Sequence, residues 1–334
     1  MSATTAPEGF EIAAETGVHR LSIPTPFAVG RVNCYLIDDE PLTLVDAGPN
    51  SGTSFDELTR ALAALGKSLE EIELVVITHQ HIDHLGLVGL VAARSGAEVA
   101  TIDHAVPMVE RFAEEMQADD DFATATMLRH GIPEDVVRAL QSVSRAFRAW
   151  GAPAKVTRVL HDGDTMEFRD RSLKVHWRPG HSPTDTVFED AERRTLIAAD
   201  HLLGHISSNP LITRPLDADG ERPQSLVTYL DSLARTREMD LDLVLPGHGD
   251  PVTDHRRLID DRFAGHRRRA DKLHRLIADR PRSAHELAQA LWGNIAVTQA
   301  YLTLSEVLGH TDLLLNAGRV REVEDGGTVR FEAT

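Results

Sequence analysis

Residues 78–86 read THQHIDHLG and follow the apolar run ELVVIT, so three histidines and an aspartate crowd one strand end. Imidazole suits zinc, iron and other borderline metals, and a carboxylate can complete such a site. On an extended chain, side chains two apart point the same way, so His79 and His81 are spaced to grip one ion. Asp83 and His84 fall where the next helix begins. Adjacent helical side chains diverge, which suits this pair to a second direction or a second ion. Partners recur at other strand ends: His181 in RPGHSPTDT, Asp200 in TLIAAD and His248 in LPGHG, with Asp46 in LTLVDAG as a fourth case. Each lies at the carboxyl end of an apolar run, where ligands gather in layered α/β folds. The glycines at 48, 180, 247 and 249 fit tight turns that bring backbone close to a site. Five histidines and two aspartates would fill two adjacent sites and leave room for water.

The elements that must hold these residues alternate short β-branched runs with helical periodicity. RVNCYLI, PLTLVDAG and ELVVITH read as strands, with an amphipathic helix from Ser54 to Leu65 and another from Gly86 to Ser95, then the short run AEVAT. Residues 103–155 change character and read as a helical insertion, interrupted at Gly131 and Pro133. Strand patterns resume with KVTRVL, LKVHWRPG, DTVFED, RTLIAAD and DLVLPGHG, which indicates an α/β core of sheets covered by helices. From residue 255 a long charged helix runs to Arg280. PRSAHELAQALWG follows, with Ser283 and Glu286 as a capping box closed by Gly293. A third helix pattern spans Val297 to Leu315, and VREVEDGGTVRFE reads as two strands about a Gly326-Gly327 turn. Helix, helix, helix, hairpin is a winged-helix order, expected to pack on the main domain.

Bulk properties bound the function. The 334 residues are 42% hydrophobic, enough for a substantial core, and a net charge of -17 repels polyanions, so nucleic acid is disfavoured as a partner. The N-terminus has no apolar signal region and no run of about 18 apolar residues occurs, so the expected location is the cytoplasm, without membrane contact. Cys34, the single cysteine, is expected to be a buried strand residue in VNCYLI.

Residues 79–84, with His181, Asp200 and His248, resemble the HxHxDH, H, D and H motifs of the metallo-β-lactamase-fold hydrolases over roughly residues 20–255. The resemblance implies a four-layer αββα sandwich with a dinuclear metal centre, usually zinc, at one edge. Carried onto this chain, His79, His81 and His181 would hold one metal, Asp83, His84 and His248 the other, and Asp200 would bridge. Asp46 matches the family's structural aspartate behind the site, which orients a ligand or loop. Residues 1–254 would then be the catalytic domain, with 103–155 as a helical cap, and 255–334 a winged-helix-like module. PGHGDPVTD, the helix containing HRRRADKL and the C-terminal pattern are similar to the beta-lactamase-like protein 2 branch. Ala199 stands before Asp200 where many members have glycine.

Two cations about 3.5 to 4 Å apart lower the pKa of a shared water, and the hydroxide attacks a carbonyl or phosphoryl centre. The metals are expected to be divalent, zinc first, with iron or manganese accepted by the same ligands. Asp83 is the expected group to pass a proton to the leaving group. The resemblance argues against β-lactamase action itself, because those enzymes are exported and lack the bridging aspartate. A scaffold without catalysis predicts missing ligands, and none is missing. Between acyl and phosphodiester substrates, the charge, the acidic insertion (Glu114, Glu115, Asp119 to Asp121) and the lack of lysine or arginine between Arg282 and Arg319 weigh against nuclease action. That last gap makes the terminal module a packing or dimerisation element, so a homodimer is expected as one option. Val106, Met108, Val109, Phe112, Met116, Phe122, Met127 and Leu128 fit either the wall of an adaptable pocket or plain packing, and residues 204–215 fit the same mouth. The expectation is a thioester, ester or lactone hydrolase acting on a small acyl substrate, with phosphodiesterase or endoribonuclease as the alternative.

Overall fold

Alternation along the strands decides how the layers stack. The computed structural model describes residues 8–217, 220–295 and 299–334. After a short helix α1 (Glu8–Glu15), strands β1 (Val18–Ile23), β2 (Val32–Ile37) and β3 (Thr43–Val45) begin a six-stranded sheet that continues with β4 (Leu74–Val76), β5 (Glu98–Ile102) and β6 (Arg158–Leu160) in sequence order. The second sheet runs β11-β10-β9-β8-β7, made of β7 (Thr165–Glu167), β8 (Ser172–Trp177), β9 (Thr186–Asp190), β10 (Thr195–Ala199) and β11 (Leu243–Pro246). Tyr35, Ile37, Leu74 and Val76 meet Val175, Phe188, Ile197, Leu243 and Leu245 in one core between the sheets. The intervening residues point away: Cys34, Leu36, Val75 and Ile77 pack beneath α2 (Gly52–Ala64), α3 (Ile82–Leu85) and α4 (Val88–Ser95). Leu196, Ala198 and Val244 pack beneath α8 (Ser225–Arg237) and α9 (His255–Ile277). A period of two therefore buries both faces of both sheets, giving the four layers αββα. Cys34 is fully buried in β2, as its strand setting indicated.

Helix α2 shows how locally this is encoded. Ser51 caps it by accepting from Ser54 N at 3.0 Å, and Ser54, Leu58 and Leu62 bury one stripe at a spacing of four. Each such leucine contributes about 1.5–3 kcal/mol.

The insertion forms α5 (Val106–Glu110), α6 (Phe112–Arg129) and α7 (Glu134–Phe147), broken at Gly131 and Pro133 as expected. Its apolar residues are divided between two cores. Val109 and Phe112, with Met116, join the outer core of the first sheet. Met127, Ile132 and Val137, with Phe122 and Leu140, enter a core made largely by the C-terminal elements. Helix α6, about 27 Å long at 1.5 Å per residue, reaches from one to the other. Leu128 belongs to neither and is 42% exposed.

Those C-terminal elements are α9, β12 (Arg282–Ser283), α10 (Ala284–Trp292), α11 (Ala300–Asn316) and the hairpin β13 (Val320–Asp325) and β14 (Thr328–Ala333). The capping box holds: Ser283 Oγ accepts from Glu286 N and the Glu286 carboxylate accepts from Ser283 N. The expected start of the third helix at Val297 lies outside the described residues. β12 adds an unforeseen third strand to the hairpin, in the order β12-β14-β13. Helix α11 is buried on nearly all sides, from Ala300 through Leu314. No helix among the described residues is long and apolar enough to cross a membrane.

Candidate metal centre

Every expected site residue arrives at one edge of the sandwich. His79 and His81 follow β4, Asp83 and His84 lie on α3, His181 follows β8, Asp200 ends β10, and His248 follows β11. The ligand atoms of His79, His81 and His181 lie within 4.8 Å of one another, as do those of Asp83, His84 and His248. A third such group joins His79, His84 and Asp200 across the two. Asp200 sits between the halves: Oδ1 is 3.5 Å from His84 Nε2, and Oδ2 is 3.6 Å from His181 Nε2 and 3.5 Å from His248 Nε2.

The partners of the histidines settle which ring nitrogens face inward with lone pairs. His84 Nδ1 donates to Asp46 Oδ2 at 2.7 Å, His181 Nδ1 to the Asn209 carbonyl at 3.1 Å, and His248 Nδ1 to the Arg31 carbonyl at 2.9 Å. Thr78 Oγ1 donates to Asp46 Oδ2 at 2.8 Å, which leaves its oxygen to accept from His79 Nδ1 at 3.0 Å. All four acceptors lie on the Nδ1 side, so in the neutral rings, the form that ligates a metal, all four Nε2 atoms are bare. His79 Nε2 and His181 Nε2 each lie 3.0 Å from His81 Nδ1, and that one nitrogen has at most one proton to share between them. His84 Nε2, His248 Nε2 and Asp200 Oδ1 are buried without a hydrogen-bond partner. Converging lone pairs and an orphaned carboxylate oxygen fit divalent cations, and buried polar atoms are seldom left in this state otherwise.

Ionisation divides along the same line. Burial, then His84 and His81, hold His79 well below its usual range; burial, then His181, bring His81 to about 3. Burial disfavours charge at His84 and His248, yet the Asp46 and Asp200 carboxylates outweigh it at His84, and those of Asp200 and Asp83 at His248; both are raised. Burial opposes ionisation of Asp200, but His248 and His84 outweigh it and keep its carboxyl low. Asp83 Oδ2 lies 3.3 Å from His248 Nε2, a contact that outweighs burial and keeps Asp83 below the ordinary carboxylate range.

The glycine expectation holds for Gly48, Gly180 and Gly249, which adopt positive φ. Gly247 is required by space instead: a Cβ there would overlap Asp200 Oδ1. Two non-glycine residues at the site also take left-handed backbone, Asp46 at φ 57° and Ala199 at φ 42°. Glycine takes the conformation of Ala199 without strain, which accounts physically for the glycine that the family resemblance leads one to expect before the aspartate.

Several supporting residues carry no signal that motif reading detects. Asn33 Nδ2 donates to Pro246 O and Gly249 O, and Tyr35 Oη to Pro246 O, pinning the loop of His248 to β2. Gln80 Oε1 accepts from Ser182 Oγ and from Thr184 Oγ1, and Thr186 N donates to Thr78 O, which ties the His79 loop to the His181 loop. Asn209 and Ser208 bring residues 204–215 against the site, as expected of that segment; Ser208 Oγ donates to Asp200 O.

The family model of the metallo-beta-lactamase superfamily matches residues 28–248. The chain belongs to that superfamily. A Bacillus subtilis (strain 168) protein named probable metallo-hydrolase YqjP is 32% identical over 314 residues, spanning 93% of this chain and 96% of the relative. The structure of a metallo-beta-lactamase family protein from Thermus thermophilus superposes with a TM-score of 0.81 at 28% identity, covering 95% of this chain and 99% of that one. A Bos taurus protein named acyl-coenzyme A thioesterase MBLAC2 is 34% identical over 127 residues, 38% of this chain and 40% of that protein. The chain is a metallo-hydrolase of the superfamily, and its histidine and aspartate clusters are compatible with a metal centre.

Proposed function

We propose that this metallo-hydrolase cleaves a carboxylic thioester, ester or lactone, and that His79, His81 and His181 would hold one divalent ion and Asp83, His84 and His248 a second, with Asp200 serving both sets. Zinc is the first choice for that donor set. Bound there, such ions acidify a water and polarise the acyl oxygen. The chain's own residues do the rest. Asp46, Thr78 and the carbonyls of Arg31 and Asn209 fix the imidazole tautomers before substrate arrives. Asp83, close to His248 Nε2, takes the proton that the attacking water releases.

The observation that carries the acyl reading is an exposed aromatic contact between two segments that each lead into elements of the site. Phe27 meets Phe147 edge to face at a centroid distance of 5.5 Å, and Phe147 and Val143 are 41% and 48% exposed. Phe27 lies on the loop that ends at Arg31, the residue holding His248, while Phe147 precedes residues 148–150, whose turn packs on α3 and its Asp83 and His84. Exposed aromatic surface beside a polar centre suits an acyl group. The name of the bovine relative, an acyl-coenzyme A thioesterase, supports the same class.

Residues 1–254 are read as the catalytic domain and 255–334 as a winged-helix-like module that packs and does not bind nucleic acid. In support, α11, the third helix of the module, is buried nearly all round and offers no free face to a groove. A cytoplasmic site of action and a homodimer formed through this module belong to the same reading.

The test is a parallel screen of the metal-loaded full chain on butyryl-coenzyme A, 4-nitrophenyl butyrate, a γ-lactone, an RNA oligonucleotide and bis(4-nitrophenyl) phosphate. Hydrolysis within the first three, with intact RNA, is expected. Robust cleavage of RNA with none of the acyl compounds would reverse the assignment.

A further inference from the structure

One exposed histidine at the centre is absent from both ligand sets. His205 lies in the segment that starts at Asp200 and ends at Asn209, whose carbonyl accepts from His181 Nδ1. Ser208 Oγ donates back to Asp200 O and folds this segment into a tight excursion with His205 near its apex. Arg262 of α9 grips the excursion on both sides of His205, donating from Nη2 to Leu203 O at 3.0 Å and to Ile206 O at 2.6 Å. The imidazole rests against Gly249, the residue after His248, where a Cβ would come within 2.5 Å of His205 Nδ1. Gly249 thus answers two demands, a φ of 75° and room for this ring. Burial, then the charge of His248, lower His205 from its usual range while the Asp250 and Asp200 carboxylates oppose them, so the ring lies within electrostatic reach of the centre and is a stronger acid when protonated.

A clamped loop, a glycine cut away beneath the ring, and solvent exposure on the open side describe an imidazole set to meet something that enters. We propose that His205 supplies the proton of the leaving group in the hydrolysis inferred above, a proposal that rests on that reading. Water oxygen bonds to the acyl carbon, and the bond from that carbon to the leaving oxygen or sulfur breaks. The electron pair goes to the leaving atom, which takes one ring proton from His205, while Asp83 takes the proton lost by the water. Solvent then returns a proton to the imidazole and removes one from Asp83, so the sum is the consumption of one water. This moves to His205 the leaving-group proton that motif reading assigned to Asp83 and leaves Asp83 the proton of the water. His205 is exposed and open to an entering group, whereas Asp83 is buried beside His248.

The role predicts a dependence on the leaving group. Metal-loaded wild type, His205→Ala and His205→Gln are compared on ethyl butyrate, whose alkoxide leaves poorly, and on 4-nitrophenyl butyrate, whose phenolate leaves without help. For both variants kcat/KM should fall by about 100-fold or more on the ethyl ester, the usual scale of a proton-transfer group, and change little on the aryl ester. Added imidazole should restore part of the loss in His205→Ala, while metal content and Tm stay at wild-type values. Arg262→Met, which releases the excursion, should give a weaker form of the same pattern. An equal fall on both esters, or no fall on either, overturns the assignment. If the wild type cleaves aryl phosphodiesters and no carbonyl ester, the acyl reading fails separately. The comparison is then made on 4-nitrophenyl and methyl phosphodiesters of thymidine, where the same contrast supports His205 and a flat response overturns it.

Discussion

The Asp46 carboxylate and the His84 imidazole are joined by a buried 2.7 Å hydrogen bond, with Nδ1–H donating to Oδ2, and the same oxygen takes the Thr78 hydroxyl. One carboxylate therefore fixes the tautomer of His84 directly and that of His79 through Thr78, one histidine from each proposed ligand set. It does so from left-handed backbone at φ 57°, a conformation that asparagine tolerates as well. Asp46→Asn should fold and lower metal affinity by about 10- to 100-fold, the usual effect of losing an orienting partner. Competition against a zinc chelator measures this, and unchanged affinity would remove Asp46 from the binding argument.

Asp200 and His81 should separate two levels of metal loss. With its oxygens 3.5 to 3.6 Å from His84, His181 and His248, Asp200 touches both halves, whereas His81 Nδ1 faces only His79 and His181. Metal analysis after dialysis should find about two equivalents in wild type, as in two-metal hydrolases. His81→Ala should retain the ion at Asp83, His84 and His248 more firmly than its neighbour, Asp200→Ala should weaken both, and each should abolish turnover. Well under one equivalent in reconstituted wild type would sink the dinuclear reading.

Much of this centre was legible because its side chains stand at strand ends at fixed spacing, a pattern one-dimensional reading preserves. His79, His81, Asp83, His84, His181, Asp200 and His248 converge as their motifs indicated. The carbonyls of Arg31 and Asn209 could not be read, since every residue carries one and only the fold selects which turns inward. His205 stood within the segment 204–215 marked for the mouth, yet nothing in its sequence ties it to Gly249. The layers were legible for the reason the strands alternate. The destination of the insertion was not: amphipathic periodicity reports that a helix has an apolar face and is silent on which core receives it.

That division of the insertion makes a stability prediction with its own control. Met127 is 3% exposed in the core shared with α9, α10 and α11, while its neighbour Leu128 is 42% exposed. Met127→Ala should cost about 2–5 kcal/mol through lost burial and the cavity left behind. Leu128→Ala should stay within about 0.5 kcal/mol. Urea denaturation of the two variants decides it; equal costs would mean that α6 does not contribute to the C-terminal core.

Acid should unfold the protein from its buried neutral histidines. Burial, then the neighbouring His310, brings His266 from 6.5 to about 4, and burial brings His310 to about 4 as well. His310 Nδ1 donates to Glu306 O at 2.6 Å, so its Nε2 accepts from His266 Nδ1 at 3.1 Å, a bond that is lost when His310 Nε2 takes a proton. His130, at about 4, and His201, at about 3, are also held down chiefly by burial. A folded-state value below the unfolded one means that the unfolded chain binds more protons in between. Stability is therefore complete above pH 6.5 and declines as pH falls towards 4, on the order of 3 kcal/mol per histidine. The Asp185 and Asp119 carboxyls, raised by burial to about 6, work in the opposite sense below that value, and His84 and His248, raised by their neighbouring carboxylates against burial, oppose the trend near neutrality; His79 and His81, lowered first by burial, add to it, so lowered rings outnumber raised ones and the clearest window is pH 7 to 6. Tm measured in chelator should drop across it. His266→Leu should lower Tm at pH 7.5, because His310 Nε2 loses its donor, yet flatten the dependence on pH by removing one titrating group. A Tm that rises on acidification through this window, or an unchanged slope in His266→Leu, would show that these rings are not the source of acid lability.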